Sequence, residues 1–472
     1  MKKIQVLVVM MMLLSVQVSI CDASTLYLNS VIGKGEYGNK TGEVSEAMFR
    51  NPYGIAFDKN DNLYIVDSKN NMIKKVVNSM VSTITGKVNL YDTKGLPIGG
   101  FKEGELKNAE FNDPRSIVIN SKGELIVTDT NNNLIRLVSN SKVTTLSGTG
   151  EAGYLDGKNT VSKFNKPTGV AIDTDGNTYI ADTGNNVIRK ISTKLEVTTF
   201  AGKYSENGGY ADGDIQNALF NEPSYIYVRG NIVYVVDSGN QAIRKIENGQ
   251  VVTVAGHVFY NDIDNVYAMS GDVNVDSQYS KFNFPKAMTT LDDGTIVIAD
   301  TWNKKIKYIS KSGKIEEFKL LRKMEDGSTE NVNMSGPIDI ALNAGKLYVS
   351  DVWDNCIYVF DIENDVVANQ TETIKGKIVY KGIVTDIPVV SDESSVLVPL
   401  RKFFENSEAT VTWVPETYEA IVKVEDREYK FKIDNVNVKL MNSSMMIGVK
   451  YLKDTYKVDI VYDNASNTIF AY

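Results

Sequence analysis

The stretch FNKPTGVAIDTDGNTYIADTGNNVIRKI, residues 164–191, decides the fold. A Phe and a Pro open it. A short apolar run with small residues (GVAI) follows, then an Asp-Gly turn and a second apolar run that ends in Asp182. An Asn-rich turn leads into a third run, VIRKI. Asp-Gly or Asn-rich pairs between apolar runs are strong hairpin signals, so the stretch reads as three short antiparallel strands.

The pattern recurs along the chain. The other copies are FRNPYGIAFDKNDNLYIVDSKNNMIKKV (49–76), FNDPRSIVINSKGELIVTDTNNNLIRLV (111–138), FNEPSYIYVRGNIVYVVDSGNQAIRKI (220–246), FNFPKAMTTLDDGTIVIADTWNKKIKYI (282–309) and MSGPIDIALNAGKLYVSDVWDNCIYVF (334–360). Prolines fall at 52, 114, 167, 223, 285 and 337. Each copy closes its second run with an aspartate: Asp67, Asp129, Asp182, Asp237, Asp300 and Asp351. Self-similarity at such a period takes precedence over any local motif. Four copies add a fourth run ending in glycine: VSTITG, VTTLSG, VTTFAG and VVTVAG. Four antiparallel strands per unit make a propeller blade, and radial repetition protects the sheet edges. The sixth copy lacks such a fourth run. LYLNSVIGKGEYG (26–38), ahead of the first Pro, is expected to pair with blade six and close the ring.

These repeats resemble NHL repeats, over about residues 26–365. Blades two, four and six depart from the inner-strand glycine pattern with Ser116, Tyr225 and Asp339. After residues 362–376 the pattern changes. VLVPLRKFFENSEATVTW (396–413) reads as strand, Pro, short amphipathic helix and strand. A weaker copy, IGVKYLKDTYKVDIVY (447–462), has Gly448 in place of Pro399 and Tyr462 in place of Trp413. This region resembles the copper amine oxidase N-terminal-like domain of bacterial surface proteins, over about residues 375–472. It holds no His or Cys to bind a soft or borderline metal, so the resemblance implies no copper. Trp413 reads as core, and no cofactor is expected. The expected fold class is therefore mainly β, a six-bladed β-propeller of NHL type (24–365) plus a small C-terminal α+β domain (366–472).

The N-terminus reads as an export signal, residues 1–23. Lys2 and Lys3 precede an apolar stretch over 4–20, and Cys21-Asp22-Ala23 offers small residues for cleavage after Ala23. Ile20 is too large for a lipoprotein box ending at Cys21, so lipid anchoring is not expected. No other stretch is long and apolar enough to span a membrane. The chain is thus expected to be extracellular or at the cell surface. Without Cys21, Cys356 is the remaining cysteine and no internal disulfide is possible. The formal net charge of −8 argues against nucleic acid, which needs a concentrated basic footprint. One histidine, His257, excludes any site built from several imidazoles.

Two local motifs dissolve into the repeat. Gly148-Thr-Gly-Glu-Ala-Gly153 matches a dinucleotide fingerprint but is followed by a loop, not the helix whose amides would hold a pyrophosphate. Asp173-Thr-Asp-Gly-Asn177 begins like a calcium loop, yet Gly184 stands where the bidentate Glu belongs. The six aspartates read as turn residues that accept backbone amides.

In a four-stranded meander the turns between strands two and three share a face with the blade-to-blade links. Blades five and six place Trp302 and Trp353 at those turns, and the links contribute Tyr154, Tyr210 and Tyr260. Such aromatics beside Asp and Asn suit a glycan or a peptide. The leading expectation is a non-catalytic binding or scaffold protein at the bacterial cell surface, using this face. The alternative is a calcium-dependent hydrolase or lyase acting on a lactone or ester, which needs non-repeated carboxylates converging on the central tunnel.

Overall fold

The computed structural model describes residues 25–259, 267–310 and 313–362 and, between 373 and 471, the backbone of the strands. Two compact units divide the chain, Met1–Val367 and Ala368–Tyr472.

The first unit is a ring of six antiparallel sheets. Blade one illustrates the order: inner strand Pro52–Phe57, then Leu63–Asp67, Met72–Val77 and outer strand Met80–Thr85. The inner strands of the other blades are Pro114–Ile119, Val170–Ile172, Pro223–Arg229, Ala287–Thr290 and Pro337–Asn343. Each touches the next, and the last touches the first. The core is built between blades. Ile55's blade packs on Ile117's through Phe111, Val127 and Val138, and each of the other junctions has its own buried cluster. Phe49, Phe111, Phe164, Phe220 and Phe282, the aromatics that open the repeats, are fully buried.

Inner strands must crowd around an axis, which explains the small residues there. A Cβ on Gly54 would lie 2.5 Å from the Arg115 carbonyl oxygen, and one on Gly169 2.8 Å from that of Ser224. The departures at this position have a consistent use. Ser116 Oγ accepts the Val170 amide of the next blade, and Asp339 Oδ2 accepts the Ile55 amide. Tyr225 reaches beyond its neighbour toward the Asp339 carboxyl, two blades on.

Ring closure follows the N-terminal reading. Thr25–Ile32 pairs antiparallel with Cys356–Asp361 as the fourth strand of blade six. Lys319–Lys323, arriving from blade five, pairs parallel with its first residues. Leu26 and Ile32 anchor the strand in two different junction cores. One feature was not anticipated: links turn back as short fifth strands, Gly42–Glu43, Gly104–Glu105, Gly157–Lys158 and Gly213–Asp214, along the outer edges of blades one to four.

In the second unit, a seven-stranded sheet holds Thr373–Tyr380, Ile383–Asp392 and Ser395–Pro399 among its strands. A three-stranded sheet runs Thr410–Val414, Glu419–Val424 and Arg427–Lys432. The expected helix between 399 and 410, the Trp413 side chain and the signal segment lie outside the described residues.

Candidate functional site on the turn face

The face is organised by the recurring aspartates. Asp67, Asp129, Asp182, Asp237 and Asp300 are fully buried. Each accepts a backbone amide from the residue after the opening Phe, at 2.7–2.8 Å. Each also accepts an Asn side chain three residues on (Asn70, Asn132, Asn185, Asn240, Asn303). A cation from the third strand completes the set: Lys74, Arg136, Arg189, Arg244 and Lys307, at 2.6–2.9 Å. Burial pushes the Asp129 and Asp182 carboxyls up to about 6, and the facing guanidiniums hold them down against it. They remain ionised at neutral pH. In blade six no cation takes this place; Asp351 accepts the Ser335, Gly336, Trp353 and Asp354 amides. The geometry is that of a turn lock, with every carboxylate oxygen engaged.

A second device joins the blades. The turn between strands two and three ends in a left-handed residue whose side-chain carbonyl accepts the next blade's pre-proline amide. Asn71 serves Asp113, Asn133 serves Lys166, Asn186 serves Glu222, Gln241 serves Phe284 and Asn355 serves Asn51, at 2.6–3.0 Å. At the junction of blades five and six the residue is Lys304, a side chain with no acceptor.

That junction carries the two exposed tryptophans. Trp302 and Trp353 are 58% and 46% exposed, and their rings meet edge-on at 6.2 Å. Gly336, directly before Pro337, makes room: a Cβ there would lie 2.7 Å from the Trp353 ring. The row continues from Trp302 to Phe284 (5.7 Å) and from Phe284 to Tyr267 (5.1 Å). Phe284 is held at φ +45°, costly for a bulky side chain. Tyr267 donates to Glu222 Oε1 at 2.7 Å, a bond that pushes its hydroxyl up to about 12.

Of the sequence-predicted tyrosines, Tyr154 and Tyr210 cover cations of the turn locks. The Tyr154 ring stacks on Tyr204 at 4.7 Å and lies over the Arg189 guanidinium; its hydroxyl bonds Thr199. Tyr210 covers Arg244 in the same way and bonds Thr253. Both cap turn-lock cations, and neither makes a ring contact with the tryptophans. Tyr260 lies outside the described residues.

Sequence reading missed the layer just inside the face. The residue after each repeat proline sits where the inner strands converge: Tyr53, Arg115, Thr168, Ser224, Lys286 and Ile338. Thr168 and Ser224 hydroxyls donate to the next blade's Ser224 and Lys286 carbonyls. The Arg115 guanidinium lies 5.2 Å from the Tyr53 ring centroid and pairs with Asp113 at 3.1 Å. Lys286 Nζ lies 5.5 Å from the Phe284 ring centroid. The one signal available was position, a fixed offset from a repeated proline. Below this layer is Asp339, whose carboxyl burial pushes up to about 7. A calcium-centred site would need several convergent carboxylates, and no group of three or more His, Cys, Asp or Glu suited to a metal occurs among the described residues.

The comparisons agree with this architecture. Residues 33–247 match the teneurin NHL domain and residues 377–471 the copper amine oxidase N-terminal domain. Zebrafish teneurin-3 (Danio rerio) is 27% identical over 54% of this chain and 11% of its own length. Cattle (Bos taurus) NHL repeat-containing protein 2 is 25% identical over 65% of this chain and 44% of its own. The chain thus spans less than half of either relative. A crystal structure described as an auxiliary nutrient binding protein, from Bacteroides thetaiotaomicron, superposes with a TM-score of 0.50 at 14% identity, covering 71% of this chain and 75% of that one. The protein carries a six-bladed β-propeller whose sequence is similar to the teneurin NHL domain over residues 33–247, and its residues 377–471 are similar to the copper amine oxidase N-terminal domain.

Proposed function

We propose that this protein is an exported, non-catalytic binding protein of the bacterial cell surface whose turn face recognises a glycan or a peptide. The observation that carries the reading is the aromatic row Tyr267–Phe284–Trp302–Trp353, whose two tryptophans meet at the one junction without an amide latch. Large exposed rings cost solvation unless they cover something, and a row of them on a rigid ring is preorganised for a ligand. The basic, apolar N-terminal stretch supports export. Among the described residues no helix is long and apolar enough to cross a membrane. The nutrient-binding description of a propeller of the same fold is in keeping with a binding role.

Glycan and peptide arrays probed with residues 24–472 test the reading. Ligands retained by the native protein should be lost by a Trp302→Ala/Trp353→Ala double variant. Equal binding by both proteins would remove the aromatic row from the account.

A further inference from the structure

The chain is acidic overall, yet the centre of its turn face is cationic. Arg115 and Lys286 stand in blades two and five, on opposite sides of the ring, close enough for each charge to act on the other. Arg115 is half-neutralised: Asp113 takes one Nη, also binding Lys69 at 2.9 Å, while the Arg115 Nε is buried without a hydrogen-bond partner. For Lys286 no carboxylate lies within ion-pair distance of Nζ among the described residues. The negative group that acts on it is Glu222, whose Oε1 already accepts the Tyr267 hydroxyl. Burial, then Arg115, hold the Lys286 ammonium down to about 8.

A half-buried ammonium without a counter-ion carries a desolvation cost, and the buried Arg115 Nε without a hydrogen-bond partner adds to it. Both are relieved by an anion entering from the face. The anion would not arrive alone, because Lys286 lies against Phe284, and Phe284 against Trp302. A carboxylate at Lys286 thus places whatever bears it on the aromatic row. A pyranose ring fits that demand: it presents an apolar C–H face to an aromatic ring and carries its acid a bond away.

Building on the proposed function, we propose that the ligand is an acidic saccharide, its uronic carboxylate held between Lys286 and Arg115 and its ring on Phe284 and Trp302. Recognition by charge at a partly desolvated mouth is discriminating, since a neutral analogue leaves the half-buried cation unpaired.

The test is calorimetric titration of residues 24–472 with trigalacturonic acid and with its methyl ester. The acid should bind at least about tenfold more tightly than the ester. Lys286→Met should abolish that preference while Lys286→Arg keeps it, which separates lost charge from lost folding. In the native protein the preference should shrink as pH rises from 7 to 9, through the Lys286 value, with Arg115, Asp113, Lys69 and Glu222 the charged groups that face it; Arg115 is held above its ordinary value and Asp113 below. Equal affinity for acid and ester, failure to bind either, or an unchanged preference in Lys286→Met would overturn the inference. Capture of free-carboxylate peptides in place of the saccharide would overturn it too, yet leave the binding face standing. Only indifference to the double tryptophan variant removes that face.

Discussion

At the scale of the residue, the turn lock shows how much one buried pair can govern. Arg244 is fully buried between the Tyr210 and Phe220 rings, and Asp237 has its partner there at 2.6 Å. Arg244→Ala would strand that carboxylate in the interior. Denaturant unfolding should show a loss of about 3–5 kcal/mol. Trp302→Ala, by contrast, removes a side chain that is mostly exposed, and stability should change by under about 1 kcal/mol. The aspartates were legible in the sequence because they repeat. Their cations repeat as well, seven residues on, but a Lys or Arg in an alternating strand reads as solvent-facing. Here it turns inward because a buried carboxylate is waiting. The axial residues were legible by position alone, since Tyr53, Arg115, Lys286 and Ile338 share an offset from the repeat proline and no chemistry.

Asp339 offers a pH signature at the same scale. Its folded value, about 7, lies above the ordinary carboxyl value of 3.8, so the folded state holds its proton more tightly than the unfolded chain. The stability this contributes is complete below about 4 and is lost as pH rises through about 7. Relative to Asp339→Asn, the native protein should therefore gain melting temperature as pH falls from 8 to 5. A difference that does not vary with pH would contradict the assignment.

At the scale of the element, the strands were predictable from the alternation of apolar runs with Asp-Gly and Asn-rich turns, since each strand's chemistry is local. Closure was predictable from a deficit, the missing fourth run of blade six. The short outer strands were not, because two residues carry no periodicity. Their mark is a recurring glycine, Gly42, Gly104, Gly157 and Gly213, all at φ between +115° and +133°. The closing strand can be tested through chemistry. Cys356 is buried in the strand that pairs with Thr25–Ile32. In residues 24–472 it is the lone thiol and should resist a disulfide-exchange reagent. Starting the chain at residue 33 bares that sheet edge, and labelling should become fast. Equal rates would mean that the N-terminal strand does not seal the ring.

At the scale of the whole molecule, six similar blades make a rigid frame, and function enters where the similarity fails. The five latched junctions are near-copies. The sixth has Lys304 in place of an amide acceptor, Gly336 in place of a pre-proline side chain, and tryptophans at both turns where the other blades carry Lys69, Asn131, Gly184 and Gly239. The chain has three tryptophans, Trp302, Trp353 and Trp413, which permits a direct measurement. With 5-fluorotryptophan incorporated, fluorine NMR reports each one separately. Titration with a ligand from the arrays should move the resonances of Trp302 and Trp353 and leave that of Trp413 in place. A ligand that binds while both propeller resonances stay still would contradict the account.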